Sequence, residues 1–186
     1  VDLSTGTLYN INSAAGSTEA TVVWSSSKPM DSQVEYGLTT AYGSTTSVNA
    51  SLATNHSVVV SGLTPDTLYH YRVRSKDGCG REVISPDKTF STTADQNAPQ
   101  TTITSGPPDS GKACATTVDL CWTGSDNATP SDQLLYSYKM DSDPWSAWTA
   151  EVCHRFTELS EGLHTFMVKA KDAVGNEDLS PAVKYF

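Results

Sequence analysis

The stretch YHYRVRSKDGCGREVISP at residues 69–86 decides the fold, because the chain contains a second version of it, HTFMVKAKDAVGNEDLSP, at residues 164–181. The two stretches align without gaps, and six residue pairs are identical: Val73 and Val168, Lys76 and Lys171, Asp77 and Asp172, Gly80 and Gly175, Ser85 and Ser180, Pro86 and Pro181. A repeat spaced by about 95 residues is too long for a solenoid unit and is typical of tandem β-domains.

Period-two alternation of apolar and polar residues runs through the whole chain, whereas helical periodicity is not convincing anywhere. Short turn-forming segments rich in Gly, Pro, Ser and Asp separate the alternating stretches. This pattern predicts antiparallel strands with one buried and one solvated face. The predicted strands are Ala20–Trp24, Gln33–Tyr36, Ser57–Val60, Tyr69–Arg74, Thr117–Trp122, Leu135–Met140, His154–Phe156 and Thr165–Ala170.

The polar segment 92–99, which ends in Pro99, separates the two versions of the repeat. We therefore predict an all-β protein of two tandem, immunoglobulin-like antiparallel β-sandwiches, at residues 1–94 and 100–186, joined by a linker at 95–99. Each predicted domain holds about 90 residues, a size that supports an independent core.

The charge of the chain is acidic and unevenly distributed. Residues 1–97 hold nine acids and six bases, residues 98–186 hold twelve acids and six bases, and the net charge is −9. An acidic surface repels phosphates, so nucleic acid and anionic membranes are disfavoured as partners. The sequence contains no run of eighteen apolar residues, which is the pattern that predicts a membrane span. Because the sequence begins at Val1 without a signal-like segment, we expect a mature or excised part of a larger protein.

The segment from Gly62 to Val73, GLTPDTLYHYRV, resembles a fibronectin type III domain at the corner before one of its core strands. The resemblance covers about residues 8–92. It implies that the Tyr69 hydroxyl hydrogen-bonds back to the preceding turn and that Trp24 is the central core tryptophan. The segment Gln33–Gly37 is similar to bacterial copies of the domain and to the amino-terminal domain of purple acid phosphatases.

Residues 98–186 resemble a related, immunoglobulin-like and fibronectin-like module of bacterial and archaeal surface proteins. The segments that carry the resemblance are Ala98–Gly106, Trp122–Asp126, Tyr136–Lys139, Trp145–Thr149 and Glu161–Asn176. It implies that Trp122 is the core tryptophan of this half, and His164 stands where the first half has Tyr69.

Catalytic motifs are not found in the sequence. Ser25-Ser-Ser-Lys28 fits a Ser-x-x-Lys pattern, but the pattern needs a helix and here it follows a predicted strand into a loop. The four histidines, His56, His70, His154 and His164, are spread over strands of both halves and are expected to be structural. The phosphatase resemblance covers a non-catalytic domain, and no metallophosphatase motif follows it. We therefore predict that the chain is not an enzyme and has no resident cofactor.

A group of oxygen-bearing side chains is predicted to meet at one end of the second domain, where the linker and two loops come together. Calcium takes six to eight oxygen ligands, so the group is a candidate calcium site. The alternative is that these residues stabilise turns. The candidate ligands are Asp95, Asp126, Asn127, Asp172, Asn176 and Asp178.

Two tryptophans, Trp145 and Trp148, are candidate carbohydrate-binding residues, because exposed indoles stack on sugar rings. Their three-residue spacing puts them on opposite faces if the segment is a regular strand. We then expect one indole in the core and the other partly exposed.

The cysteines are not spaced as zinc ligands. In the fold that the resemblance implies, Cys121 and Cys153 lie on neighbouring strands and point outward, so a disulfide between them is predicted. Cys79 and Cys114 are expected at opposite ends of the tandem, and for each the alternatives are a free thiol or a link between two chains.

Together these features predict a monomeric, non-catalytic segment of a secreted or cell-surface protein. Its expected role is a spacer, an adhesion module or a protein-interaction scaffold beside other domains of a larger parent. The alternatives are a carbohydrate-binding or accessory module of a secreted hydrolase, and a sensor ectodomain. Fold analogy alone does not choose among a protein ligand, a glycan ligand and no ligand.

Overall fold

A computed structural model of the chain describes residues 4–108 and 116–186. The chain divides into two compact units, Val1–Asp95 and Gln96–Phe186. The predicted all-β class is confirmed. Strands are the regular elements of both units, and the helical structure of the described residues is limited to one short 3-10 turn.

From residue 4 onward, seven antiparallel strands build the first unit around one long central strand. The strands are β1 (Leu8–Ala15), β2 (Glu19–Gly37), β3 (Ser44–Thr45), β4 (Asn49–Ser61), β5 (Leu68–Lys76), β6 (Glu82–Ile84) and β7 (Lys88–Ser91). The first half of β2 pairs with β1 and β4, and its second half pairs with β3 and β5. β5 also pairs with β6 and β7, so β2 connects the two layers of the sandwich.

The continuity of β2 corrects the prediction of two separate strands with a loop after Ser25. The chain stays extended because β4 pairs with it over a long distance, from Glu19 opposite Ser61 to Ser32 opposite Asn49. The register shifts between Ser25 and Ser32, where the strand passes from one layer to the other.

Six strands and the 3-10 turn form the described part of the second unit. They are β8 (Gln100–Ser105), β9 (Val118–Ser125), the turn Ser131–Gln133, β10 (Leu135–Met140), β11 (Cys153–Phe156), β12 (Thr165–Lys171) and β13 (Ala182–Tyr185). One three-stranded sheet has the order β11-β9-β8, and the other has the order β10-β12-β13.

Each unit has its own core, formed by the inward residues of the alternating strands. Trp24 and Trp122, the two predicted core tryptophans, are each 2% exposed. β5 contributes Tyr69, Tyr71 and Val73 to the first core. β12 contributes Phe166, Val168 and Ala170 to the second core. Burying one large apolar side chain contributes about 1.5–3 kcal/mol, so these repeated strands account for much of the stability of each unit.

Candidate functional site

The corner before β5 has the tyrosine geometry that the resemblance implies. The backbone N–H of Thr64 donates a hydrogen bond to the Tyr69 hydroxyl at 3.0 Å. The Tyr69 ring stacks on Phe90 with a centroid distance of 5.6 Å. Nearby in the core, Nε1 of Trp24 donates to the Ser75 hydroxyl at 3.0 Å. These contacts give Tyr69 and Trp24 structural roles.

A buried histidine, His56, packs against Trp24 with parallel rings 4.8 Å apart. The Ser26 hydroxyl donates to the Lys28 carbonyl at 2.7 Å, so its oxygen accepts from Nε2 of His56 at 2.9 Å. The Ser32 hydroxyl then donates to Nδ1 at 2.7 Å. Burial lowers the pKa of His56, although Asp31 acts in the opposite direction. Because Ser26 and His56 are both buried, this serine–histidine pair is out of reach of a substrate.

In the second unit, His164 takes the corner position that Tyr69 has in the first. Its Nε2 donates to the Ser160 carbonyl at 2.9 Å, and its Nδ1 donates to Asp141 at 2.7 Å. Both partners accept hydrogen bonds, so they favour the imidazolium. The Ser160 carbonyl and then the Asp141 carboxylate raise the pKa of His164 above its ordinary value.

The remaining histidines are also held by protein groups. His70 contacts Asp87 at 2.8 Å, and His154 contacts the Tyr138 hydroxyl at 2.8 Å. All four histidines therefore have structural partners.

The predicted calcium ligands of the second unit are largely engaged in loop hydrogen bonds. Oδ1 of Asp172 accepts from the backbone N–H groups of Val174, Gly175 and Asn176 at 2.6–3.0 Å. Its Oδ2 accepts from the Asn176 side chain at 2.7 Å. Asp178 accepts from the Thr101 backbone N–H at 3.0 Å. These bonds are the turn-stabilising role considered as the alternative to metal binding.

Asp126 has a different environment from the other carboxylates. Its Oδ2 accepts from the N–H groups of Ala128 and Thr129, whereas its buried Oδ1 has no hydrogen-bond partner in the described part of the chain. Carboxylate oxygens of Asp126 and Asp172 lie within 4.8 Å of each other. Asp95 is buried at the end of the first unit, and Asn127 adjoins Asp126. Calcium binding by these residues stays a prediction.

Trp145 and Trp148 lie on the outer face of the β10-β12-β13 sheet, among three lysines. The expectation that one indole enters the core is wrong, because both are half-buried and neither belongs to the core cluster. The segment that carries them follows a turn with positive φ at Asp141, and its backbone meets β10 only at separate points, Thr149 and Ser146, among the described residues. The segment is therefore not a regular strand, and both rings reach the same side.

The two indoles alternate with lysine ammonium groups. Lys139 lies 5.5 Å from the Trp145 centroid, and Lys169 lies 5.2 Å from both indole centroids. Lys171 lies 4.3 Å from the Trp148 centroid. We call these five residues the lysine–tryptophan ladder. Each ring has two cations within cation–π distance, which stabilises both residue types on an exposed sheet.

The outer face of β5 in the first unit carries a charge network that the sequence analysis missed. His70, Arg72, Arg74 and Lys76 occupy alternate, outward positions of this strand. Glu35 accepts from Arg72 and, at 2.7 Å, from Arg74, and Arg74 also contacts Glu82 at 2.7 Å. Burial alone would raise the pKa of Glu35, but the two arginines outweigh it and lower the pKa. Four basic residues at every second position were the available signal.

The cysteines differ in whether they form a disulfide. Cys121 lies opposite Cys153 in the β9–β11 pairing, and a disulfide joins them. Cys79 is exposed and forms no disulfide among the described residues. Cys114 lies outside the described residues, so its predicted position and pairing stay open.

Comparison with known proteins relates the chain to phosphatase and polysaccharidase sequences. Residues 8–92 match the family described as Purple acid Phosphatase, N-terminal domain. Endoglucanase B of Cellulomonas fimi is 31% identical over 172 residues, which cover 89% of this chain and 16% of the endoglucanase. Chitinase A1 of Niallia circulans is 31% identical over 160 residues, which cover 84% of this chain and 22% of the chitinase. The chain thus spans less than a quarter of either relative.

Solved structures of similar fold include a two-domain fibronectin type III segment from chicken tenascin. It has a TM-score of 0.46 and 12% identity, and the match covers 96% of this chain and 98% of that segment. Fibronectin(III)-like modules of Clostridium thermocellum CbhA have a TM-score of 0.39 and 15% identity, with coverage of 96% and 92%.

With antiparallel strands and a core tryptophan in each unit, and a tyrosine corner in the first, the chain has a fibronectin type III-like β-sandwich fold. The resemblance stated from the sequence is confirmed. Among the described residues, no helix has the length and hydropathy needed to cross a membrane.

Proposed function

We propose that this chain is a non-catalytic, extracellular spacer and scaffold module of an enzyme that hydrolyses polysaccharides. One observation carries the proposal: most of the chain is similar, at 31% identity, to both an endoglucanase and a chitinase. These enzymes are named for different polymers. A segment common to both is therefore unsuited to selecting the bond that is cleaved.

The architecture supports a scaffold role. Each unit encloses its own core, and its buried histidines are held by neighbouring side chains and carbonyls rather than directed into a cleft. Rigid sandwiches of this kind hold neighbouring domains and loops in place. The Cys121–Cys153 disulfide fits an oxidising, extracellular environment.

The proposal is tested by exchange in Endoglucanase B. Three forms are compared: the intact enzyme, a form without the matching segment, and a chimera in which this chain replaces that segment. We expect equal turnover of a soluble substrate by all three. The deletion should slow hydrolysis of insoluble polymer, and the chimera should restore it, because the spacing of the remaining domains is restored.

Two results would contradict the proposal. Loss of soluble-substrate turnover on deletion would place the segment in the catalytic unit, and hydrolysis by this chain alone would make it an enzyme. If the chimera hydrolysed insoluble polymer no faster than the form with the deletion, the spacer role would be contradicted.

A further inference from the structure

The outer faces of the two repeated strands balance their basic residues in different ways. On β5, Arg72 and Arg74 form ion pairs with Glu35 and Glu82. On the equivalent face of the second unit, Lys139 and Lys171 have indole rings as neighbours and form no ion pair within residues 4–108 and 116–186. Lys169 contacts Glu177 at 2.7 Å. The lysine–tryptophan ladder therefore keeps a local positive charge in a unit with six more acids than bases.

The ladder is unsuited to simple stacking of a neutral sugar. The outward residues Lys169 and Lys171 are two positions apart on β12, a separation of about 7 Å along the strand. Lys169 lies within 5.2 Å of both indole centroids, and Lys139 and Lys171 contact one ring each. The order of the ladder is thus cation, ring, cation, ring, cation. A sugar that stacked on either indole would have to displace an ammonium group.

We infer that the lysine–tryptophan ladder binds a polysaccharide that carries carboxylate groups at intervals along its chain. The inference rests on the proposed function, which supplies a polysaccharide as the neighbouring polymer. The ammonium groups of Lys139 and Lys171 pair with carboxylates, and the exposed parts of the two half-buried indoles contact the apolar faces of adjoining sugars. The acidic remainder of the unit repels densely charged polymers, so widely spaced carboxylates fit best.

The test is affinity electrophoresis of the full chain through gels that contain glucuronoxylan or the same polymer after reduction of its carboxyl groups. The test variant is Lys139→Gln with Lys171→Gln. The matched control is Lys76→Gln with Lys88→Gln, which removes the same charge from exposed positions of the first unit. Melting curves establish that all forms are folded.

We expect glucuronoxylan to retard the wild-type chain and the control, and the reduced polymer to leave both unretarded. The Lys139/Lys171 variant should bind about tenfold more weakly, since each of the two solvent-accessible ion pairs contributes a factor of about three. Salt at about 0.5 M should weaken the binding, because it screens exposed charges.

Three outcomes would overturn the inference: no retardation by glucuronoxylan, equal retardation by the reduced polymer, or equal losses in test and control variants. Stronger retardation by single-stranded DNA would assign the ladder to phosphate chains and would also overturn it. None of these outcomes affects the endoglucanase exchange, which depends on spacing. Conversely, if that exchange failed, a retardation measured in the gels would remain valid evidence of binding.

Discussion

At the start of β5, the Tyr69 hydroxyl accepts a hydrogen bond from the Thr64 backbone, whereas His164, next to β12, donates one to the Ser160 carbonyl. The two residues hold the same corner of the repeat with opposite hydrogen-bonding roles. The histidine is cationic when it makes both of its contacts. The second corner therefore depends on protonation near neutral pH.

The first corner yields a prediction about stability. Tyr69→Phe keeps the ring packing on Phe90 and leaves the Thr64 N–H without its acceptor. We expect the free energy of unfolding to fall by about 1–3 kcal/mol, the cost of an unsatisfied donor in a partly buried turn. Urea denaturation measures the change. Tyr36→Phe is the control, and equal losses in both variants would remove the special role of Tyr69.

The second corner yields a prediction about pH. Because the folded pKa of His164 is raised, its stabilisation is complete below the unfolded value of about 6.5 and is lost as the pH rises through the folded pKa. His164→Gln should remove this loss of stability at pH values above about 6.5. Calorimetry of the second unit's transition checks it, and an unchanged pH profile in the variant would contradict it.

At the scale of the element, alternation predicted β5, β9 and β12 well, because one face of each strand packs in a core. It failed at β2, where Ser25–Pro29 has a loop-like composition but stays within one continuous strand, because Ser25 and Met30 on either side of it pair with distant residues of β4. Alternation also failed at Trp145. The backbone after Asp141 is irregular, so the side chains there do not point to opposite faces in turn. The bases on β5 were readable from the sequence, but their carboxylate partners come from separate segments and were not.

The disulfide between β9 and β11 leads to a prediction for these two elements. Replacing both Cys121 and Cys153 with alanine releases a loop with a sequence separation of 32 residues. Chain entropy predicts a loss of about 3–4 kcal/mol in unfolding free energy. Guanidinium denaturation of the oxidised protein measures it. Cys79→Ser, at an exposed cysteine outside the disulfide, is the control and should change the stability little.

The loop after β9 provides the test of the calcium prediction. If Asp126 is a ligand, millimolar Ca²⁺ should raise the melting midpoint of the second unit, since a ligand of the folded state stabilises it. EDTA should reverse the shift and Asp126→Asn should abolish it. Identical melts with Ca²⁺ and EDTA would leave these carboxylates with their hydrogen-bonding role in the loops.

For the whole molecule, the two units should respond to pH in opposite directions. The lowered pKa of His56 means that its contribution in the first unit is complete above about 6.5 and is lost as the pH falls. The raised pKa of His164 has the reverse effect in the second unit. We expect calorimetry to show two transitions whose midpoints diverge or converge as the pH changes. Parallel shifts of both transitions would contradict this expectation.

The long strand β2 also determines how the chain bears tension. Both layers of the first unit share this strand, so a pulling force cannot detach one layer while the other remains intact. The first unit should therefore release its length in a single rupture. In the second unit the two sheets share no strand among the described residues. The Cys121–Cys153 disulfide prevents the segment between the two cysteines from extending under force. Under load, the protein would behave as a tether with one abrupt step and a fixed upper limit to its length.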